Sequence, residues 1–142
     1  MMENLILRLV AKFVIPFILL FGLYVQAHGD YGPGGGFQAG VIFAAGFILF
    51  GLVFGLDELK RVVPTQVAVV FMAVGLLLYT SVGYVTILLG GLFLDYAYLA
   101  HSSVHGHHYG ILIIELGVGI TVASVIIIIY QTFAGRTPPK VP

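Results

Sequence analysis

Cysteine is absent and charge is scarce: only 8% of the 142 residues are Asp, Glu, Lys or Arg, where a soluble domain carries about a quarter. Without cysteine there are no disulfides, no thiol catalysis and no thiolate-held iron–sulfur clusters, and the redox compartment stays open. The net charge is zero and there is no basic run, which argues against nucleic acid as a partner. No Walker loop, zinc-protease helix or serine paired with a base occurs. The "PGGG" at residues 33 to 36 lacks the preceding strand and wider glycine spacing of a dinucleotide fingerprint. Nothing reads as a self-contained enzyme, and no cofactor is called for.

What remains is apolar. The hydrophobic fraction is 60% and the mean hydropathy +1.10, values that point to an integral membrane protein of the all-α class filling the whole length as one domain. A spanning helix needs roughly 20 mostly apolar residues. Four windows qualify, at about 5–26, 37–56, 63–83 and 109–131. Arg8 and Lys12 stand near the start of the first, with Pro16 as a candidate kink, and Pro64 suits the first turn of the third.

The six basic residues orient the bundle. Arg8, Lys12, Lys60, Arg61, Arg136 and Lys140 all fall at the N-terminus, between the second and third windows, or at the C-terminus. The positive-inside rule then places both termini and "DELKR" in the cytoplasm, and "HGDYGPGGG" and the histidine-rich segment outside. The segment "VTILLGGLFLDYAYLA", residues 85 to 100, is short for a span. It is expected to extend the third helix or to form an interfacial or re-entrant part of an outer loop at 84–108. The N-terminus also imitates a secretory signal, with "VQA" as a cleavage site, but is read as a retained first helix.

Along the second window Gly36, Gly40, Ala44, Gly51 and Gly55 recur near helical spacing, with Phe47 completing the line. In lipid, close backbone approach through small residues drives helix association. This stripe is expected to meet another helix tightly, in part on other subunits.

Glu115 is the one charge in the last window. It stands roughly 9 Å inside a helix starting at Tyr109, at the usual rise per residue. Such an acid faces a protein interior, a partner or a water-filled path, and Gly119, one turn on, leaves space beside it. It is a candidate for an ion relay or a subunit contact, as are His28 and Asp30 in the loop. The run "AHSSVHGHHYG" holds His101, His105, His107 and His108; a hydrated, pH-responsive outer loop is the favoured reading and a metal site the lesser one. A diheme bundle needs histidines on facing helices, and no spanning window contains one.

The glycine-rich loop leaves the amides that begin the second helix accessible, where they can hold an anion or a partner's carboxylate; its carbonyls could instead coordinate a cation. "HGDYGPGGGFQAGVIFAAG" resembles the signature of the B subunit of Mrp-type multisubunit cation/proton antiporters, the MnhB-like family. The positions that carry it are His28, Pro33, Gly34, Gly35, Gly36, Phe37, Gln38 and Gly40. "LDELKRVVP" is similar to the family as well, and "IIELGV" places Glu115 on an acid of the family's last helix. Ala39 stands where glycine is common, Gly32 where Ser or Thr is common, and residues 84 to 107 match no motif. The resemblance implies an accessory subunit of a complex in the prokaryotic plasma membrane that exchanges Na+ for H+. Its partners would be large antiporter-like subunits, small subunits and the lipid bilayer. Related modules serve membrane-bound hydrogenases and other complex I-like assemblies, which is the alternative setting; a self-contained four-helix transporter is the weaker one.

Overall fold

The computed structural model describes residues 2–29, 32–99 and 103–136, the side chains of 2–4 and 103–105 excepted. The described residues form five α-helices: α1 (Met2–His28), α2 (Gly36–Phe54), α3 (Leu56–Val62), α4 (Thr65–Leu88) and α5 (Ser103–Ala134), with a 3-10 turn at Tyr96–Leu99. Four of the helices contain segments long and apolar enough to cross a membrane: Leu5–His28, Gly36–Phe54, Thr65–Leu88 and Gly106–Ala134.

The helices stand in the order α1–α2–α5–α4. Contacts fix their directions. Gly22 faces Phe43 while Gly46 faces Leu19, so α1 and α2 are antiparallel. Gly36 meets Glu115, Gly40 meets Gly119, and Gly51 meets Tyr130, so α2 and α5 run parallel. Gly75 and Gly117 cross at the middle of the antiparallel α4–α5 pair. The N-terminal part of α1, the C-terminal part of α5 and α3 therefore share one end of the molecule, and with them the five described Lys and Arg residues.

Burial follows the logic of a lipid solvent. The buried apolar residues are mostly small: Ala11, Ala39, Ala44 and Ala68 beside Val25, Leu59, Val82 and Ile127. Large apolar side chains such as Phe13, Phe17, Leu52, Leu77 and Phe133 point outward. With lipid as apolar as leucine, nothing drives them inward, and backbones approach through small residues instead.

Helix ends have local causes. Gly35, at φ 112°, precedes α2 in a conformation other residues resist. Gly55, at φ 106°, ends α2 before Leu56 and starts α3. This corrects the expected second helix, which ran to residue 56, and removes Gly55 from its packing stripe: Gly55 is exposed, with nothing within 4 Å of a Cβ built on it. In α3 the acids Asp57 and Glu58 occupy the first turn and the bases Lys60 and Arg61 the last, matching the helix dipole. Pro64 then caps α4.

The segment after α4 is helical only to Leu88. It turns at Gly90, φ 90°, and Leu94 takes a positive φ of 65°. That conformation is held by the buried Thr86, whose hydroxyl accepts from the Leu94 amide at 3.0 Å and donates to the Gly83 carbonyl at 2.8 Å. The 3-10 turn packs on the start of α5, where Tyr96 covers Gly110. Burial, with a smaller contribution from Tyr79, pushes the Tyr96 phenol above its ordinary pKa. The histidine-rich run is also not a loop where described. Helix α5 starts at Ser103, so His105, His107 and His108 lie in its first turns, and His28 closes α1. The expectation that no spanning helix carries a histidine is corrected accordingly.

Candidate functional site: an acid against a glycine-rich loop

The loop between α1 and α2 is shaped by what its glycines allow close to them. The Gly35 amide donates to the Val25 carbonyl at 3.4 Å, folding the loop back over the end of α1. A Cβ on Gly34 would sit 3.0 Å from that same carbonyl oxygen. Pro33 is exposed on the outer side and Gly32 lies by the His28 ring, which stacks on Tyr24 at 5.2 Å. His28 is thus fixed at the end of α1 beside the loop. Asp30 lies outside the described residues.

Glu115 comes to this loop from α5. Its carboxylate rests against Gly29, where any Cβ would collide with both oxygens, and against Gly35, where a Cβ would stand 2.9 Å from Oε1. One residue on, a Cβ at Gly36 would run into the Glu115 backbone carbonyl. Three glycines are therefore required by one acidic residue: two by its side chain and one by its main chain. The carboxylate sits beside the first turn of α2, where unpaired amides carry partial positive charge and favour an anion. At this helix start, where an anion or a partner's carboxylate was one possibility and a cation on the loop carbonyls the other, the chain places a carboxylate of its own. The apolar segment of α5 begins at Gly106, so Glu115 stands nine residues into it, roughly 14 Å at the usual rise, somewhat deeper than a start at Tyr109 implied.

Below this point the α2–α5 seam continues. Gly40 faces the Gly119 carbonyl and Val122, Ala44 is fully buried, and Gly51 faces Tyr130 and Leu59. The small-residue stripe from Gly36 to Gly51 meets a helix of its own chain, α5. Gly119 leaves no open space: the Gln26 side-chain oxygen would be 2.6 Å from a Cβ there, and the Gly36 carbonyl 3.2 Å. Phe37 and Gln38, by contrast, face outward from the start of α2, Phe37 being 63% exposed.

The histidines at the start of α5 are elsewhere. His107 meets Tyr96 edge-on at 6.0 Å and His108 lies beside Tyr109, both exposed. Among the described residues no three His, Cys, Asp or Glu side chains stand together as a metal site would require. His101 and the His105 side chain lie outside the described set.

Two polar residues were not singled out in the sequence. Gln26 contributes its amide beside Gly119, and Gln131, 2% exposed, joins α5 to the start of α4. Gln131 accepts from the Thr65 hydroxyl at 2.6 Å and donates to the Val63 carbonyl at 2.8 Å. The signal available was their position: each is an amide near the end of an apolar run, where a polar group needs a protein partner.

Comparison with known proteins bears directly on this loop and acid. Residues 6–128 match the family described as a domain related to the MnhB subunit of Na+/H+ antiporter, a range that holds both. The chain belongs to the MnhB family. Among relatives, a protein of Staphylococcus epidermidis named as antiporter subunit mnhB2 is 33% identical over 142 aligned residues, covering 95% of this chain and 98% of the relative. The mnhB2 of Staphylococcus haemolyticus is 36% identical, and that of a Staphylococcus aureus strain 33%, each with the same coverage of 95% and 98%. The match spans all four apolar helices, so this MnhB-family chain is a multi-pass membrane protein of the antiporter-subunit kind.

Proposed function

We propose that this chain is an accessory subunit of a multisubunit Na+/H+ antiporter, needed to assemble the complex, with Glu115 part of its ion path. Its surroundings are other membrane subunits of that complex in a prokaryotic plasma membrane, with both termini cytoplasmic and the glycine-rich loop outside. Na+ and H+ are the ions carried, and the chain has no active site of its own. The observation that supports the reading is the seating of the Glu115 carboxylate between Gly29 and Gly35. An acid within an apolar span is costly, and it is retained where it faces an interior or an ion route. Here it stands against the backbone of Gly29 and Gly35, close to the start of α2.

The test is Glu115→Gln in the complete antiporter complex. Sodium-dependent proton exchange in everted vesicles is expected to fall by roughly tenfold or more, as for loss of a group acting in proton transfer, while the complex still assembles on a native gel. Normal exchange with normal assembly would remove Glu115 from the path and leave it a packing residue. The isolated chain in proteoliposomes is expected to carry no exchange; exchange by the chain alone would overturn the accessory role.

A further inference from the structure

At the end of the molecule opposite Glu115, α1 and α2 leave a cavity of about 630 Å³. It is lined by Arg8, Lys12, Ile15, Pro16, Phe50 and Phe54, with Glu58 at its edge from α3. Arg8 and Lys12 are one turn apart on α1 and so share a face. Among the described residues neither has an ion-pair partner; Glu58 is already bound to Arg61 at 2.6 Å. Lys12 stands 6.0 Å from the Phe54 ring, by the C-terminal end of α2. The ring and the helix end place the ammonium but do not neutralise it.

We propose that this cavity binds a phospholipid with an anionic headgroup. Arg8 and Lys12 lie within the apolar span beginning at Leu5, Lys12 about 10 Å along it. Cations at that depth need a counter-charge or must reach the interface. The lining below them, Ile15, Phe50 and Phe54, is apolar and only half-buried, so it offers a wall for an acyl chain continuous with the charged mouth. Two cations above an apolar wall match an anionic head joined to a hydrocarbon tail, and basic pockets between spanning helices take up such lipids. An acidic residue of a neighbouring subunit would satisfy the charge but leave the apolar wall without a use. Free phosphate has the same shortcoming.

The experiment is native mass spectrometry of the full chain, and of the complete complex, with phosphatidylglycerol or phosphatidylcholine added. The wild-type chain is expected to retain phosphatidylglycerol preferentially. Arg8→Gln/Lys12→Gln should lower that retention roughly tenfold or more, the scale expected from two basic contacts to an anionic lipid, with phosphatidylcholine unaffected. Arg8→Lys/Lys12→Arg keeps the charge and should restore it, which separates lost binding from lost folding. Photoactivatable phosphatidylglycerol should label peptides containing Ile15 and Phe50. Equal retention by wild type and the charge-free variant would overturn the proposal. So would displacement of the lipid by inorganic phosphate, or loss of labelling in the complete complex with Lys12 cross-linked to a neighbour's carboxylate.

Discussion

The two ends of this molecule are held together by different means. At the Glu115 end, α5 meets α2 through main-chain contact: Gly36 against the Glu115 carbonyl, and Gly40 against the Gly119 carbonyl. At the opposite end, a side chain makes the tie, with Gln131 of α5 bonded to Thr65 and Val63, while the Arg61–Glu58 pair lies within α3 alone. Backbone against backbone leaves nothing that can rotate away, whereas a side-chain tie can be replaced by water or by a new rotamer. The first end is therefore intolerant of added atoms and the second of lost ones.

Gly36→Ala presses hardest on that contrast. The new methyl meets a carbonyl fixed in α5, so α2 and α5 must separate locally, at a cost of about 1–3 kcal/mol or more. A fall in the thermal midpoint of the purified chain larger than for any substitution below is expected. Gln131→Ala at the other end removes both bonds from a buried amide and leaves the Val63 carbonyl short of a donor, for about 1–3 kcal/mol, discounted because Thr65 itself is exposed. If Gln131→Ala proved costlier than Gly36→Ala, the contrast between the ends would fail. Arg61→Ala comes last: its partner pair is three residues apart and exposed, at 74% and 50%. A change within about 1 kcal/mol is expected, detectable only as a small shift in midpoint.

The sequence showed the four apolar helices because continuous runs of about 20 apolar residues have no other stable home. It also showed that the second helix carries a small-residue face, but spacing along one helix says nothing of which helix will meet it. That Gly36, Gly40 and Gly51 meet α5 rests on the parallel alignment of two helices distant in the chain. The beginning of α5 was hidden for a different reason. Ser103 to Tyr109 is too polar to count toward an apolar window, yet its backbone continues the helix with Tyr96 packed on Gly110. The glycine loop and Glu115 were each legible as motifs. Their union was not, because Gly29, which lies against the carboxylate, looks in sequence like any turn glycine. Gln131 was passed over as the boundary of a span, and only the fold puts Thr65 beside it.

The order α1–α2–α5–α4 also has a topological consequence. Among the described residues, α1 and α4 are the outermost helices of this order, each with its main helical contact on one side: α1 against α2, α4 against α5. Along one face a recess of about 430 Å³ opens over α5, bordered by Phe43 and Phe47 on one side and Val67 and Phe71 on the other. A conduit with walls on all sides would therefore need more than the four described spanning helices, and on the reading proposed above Glu115 would line only one side of it.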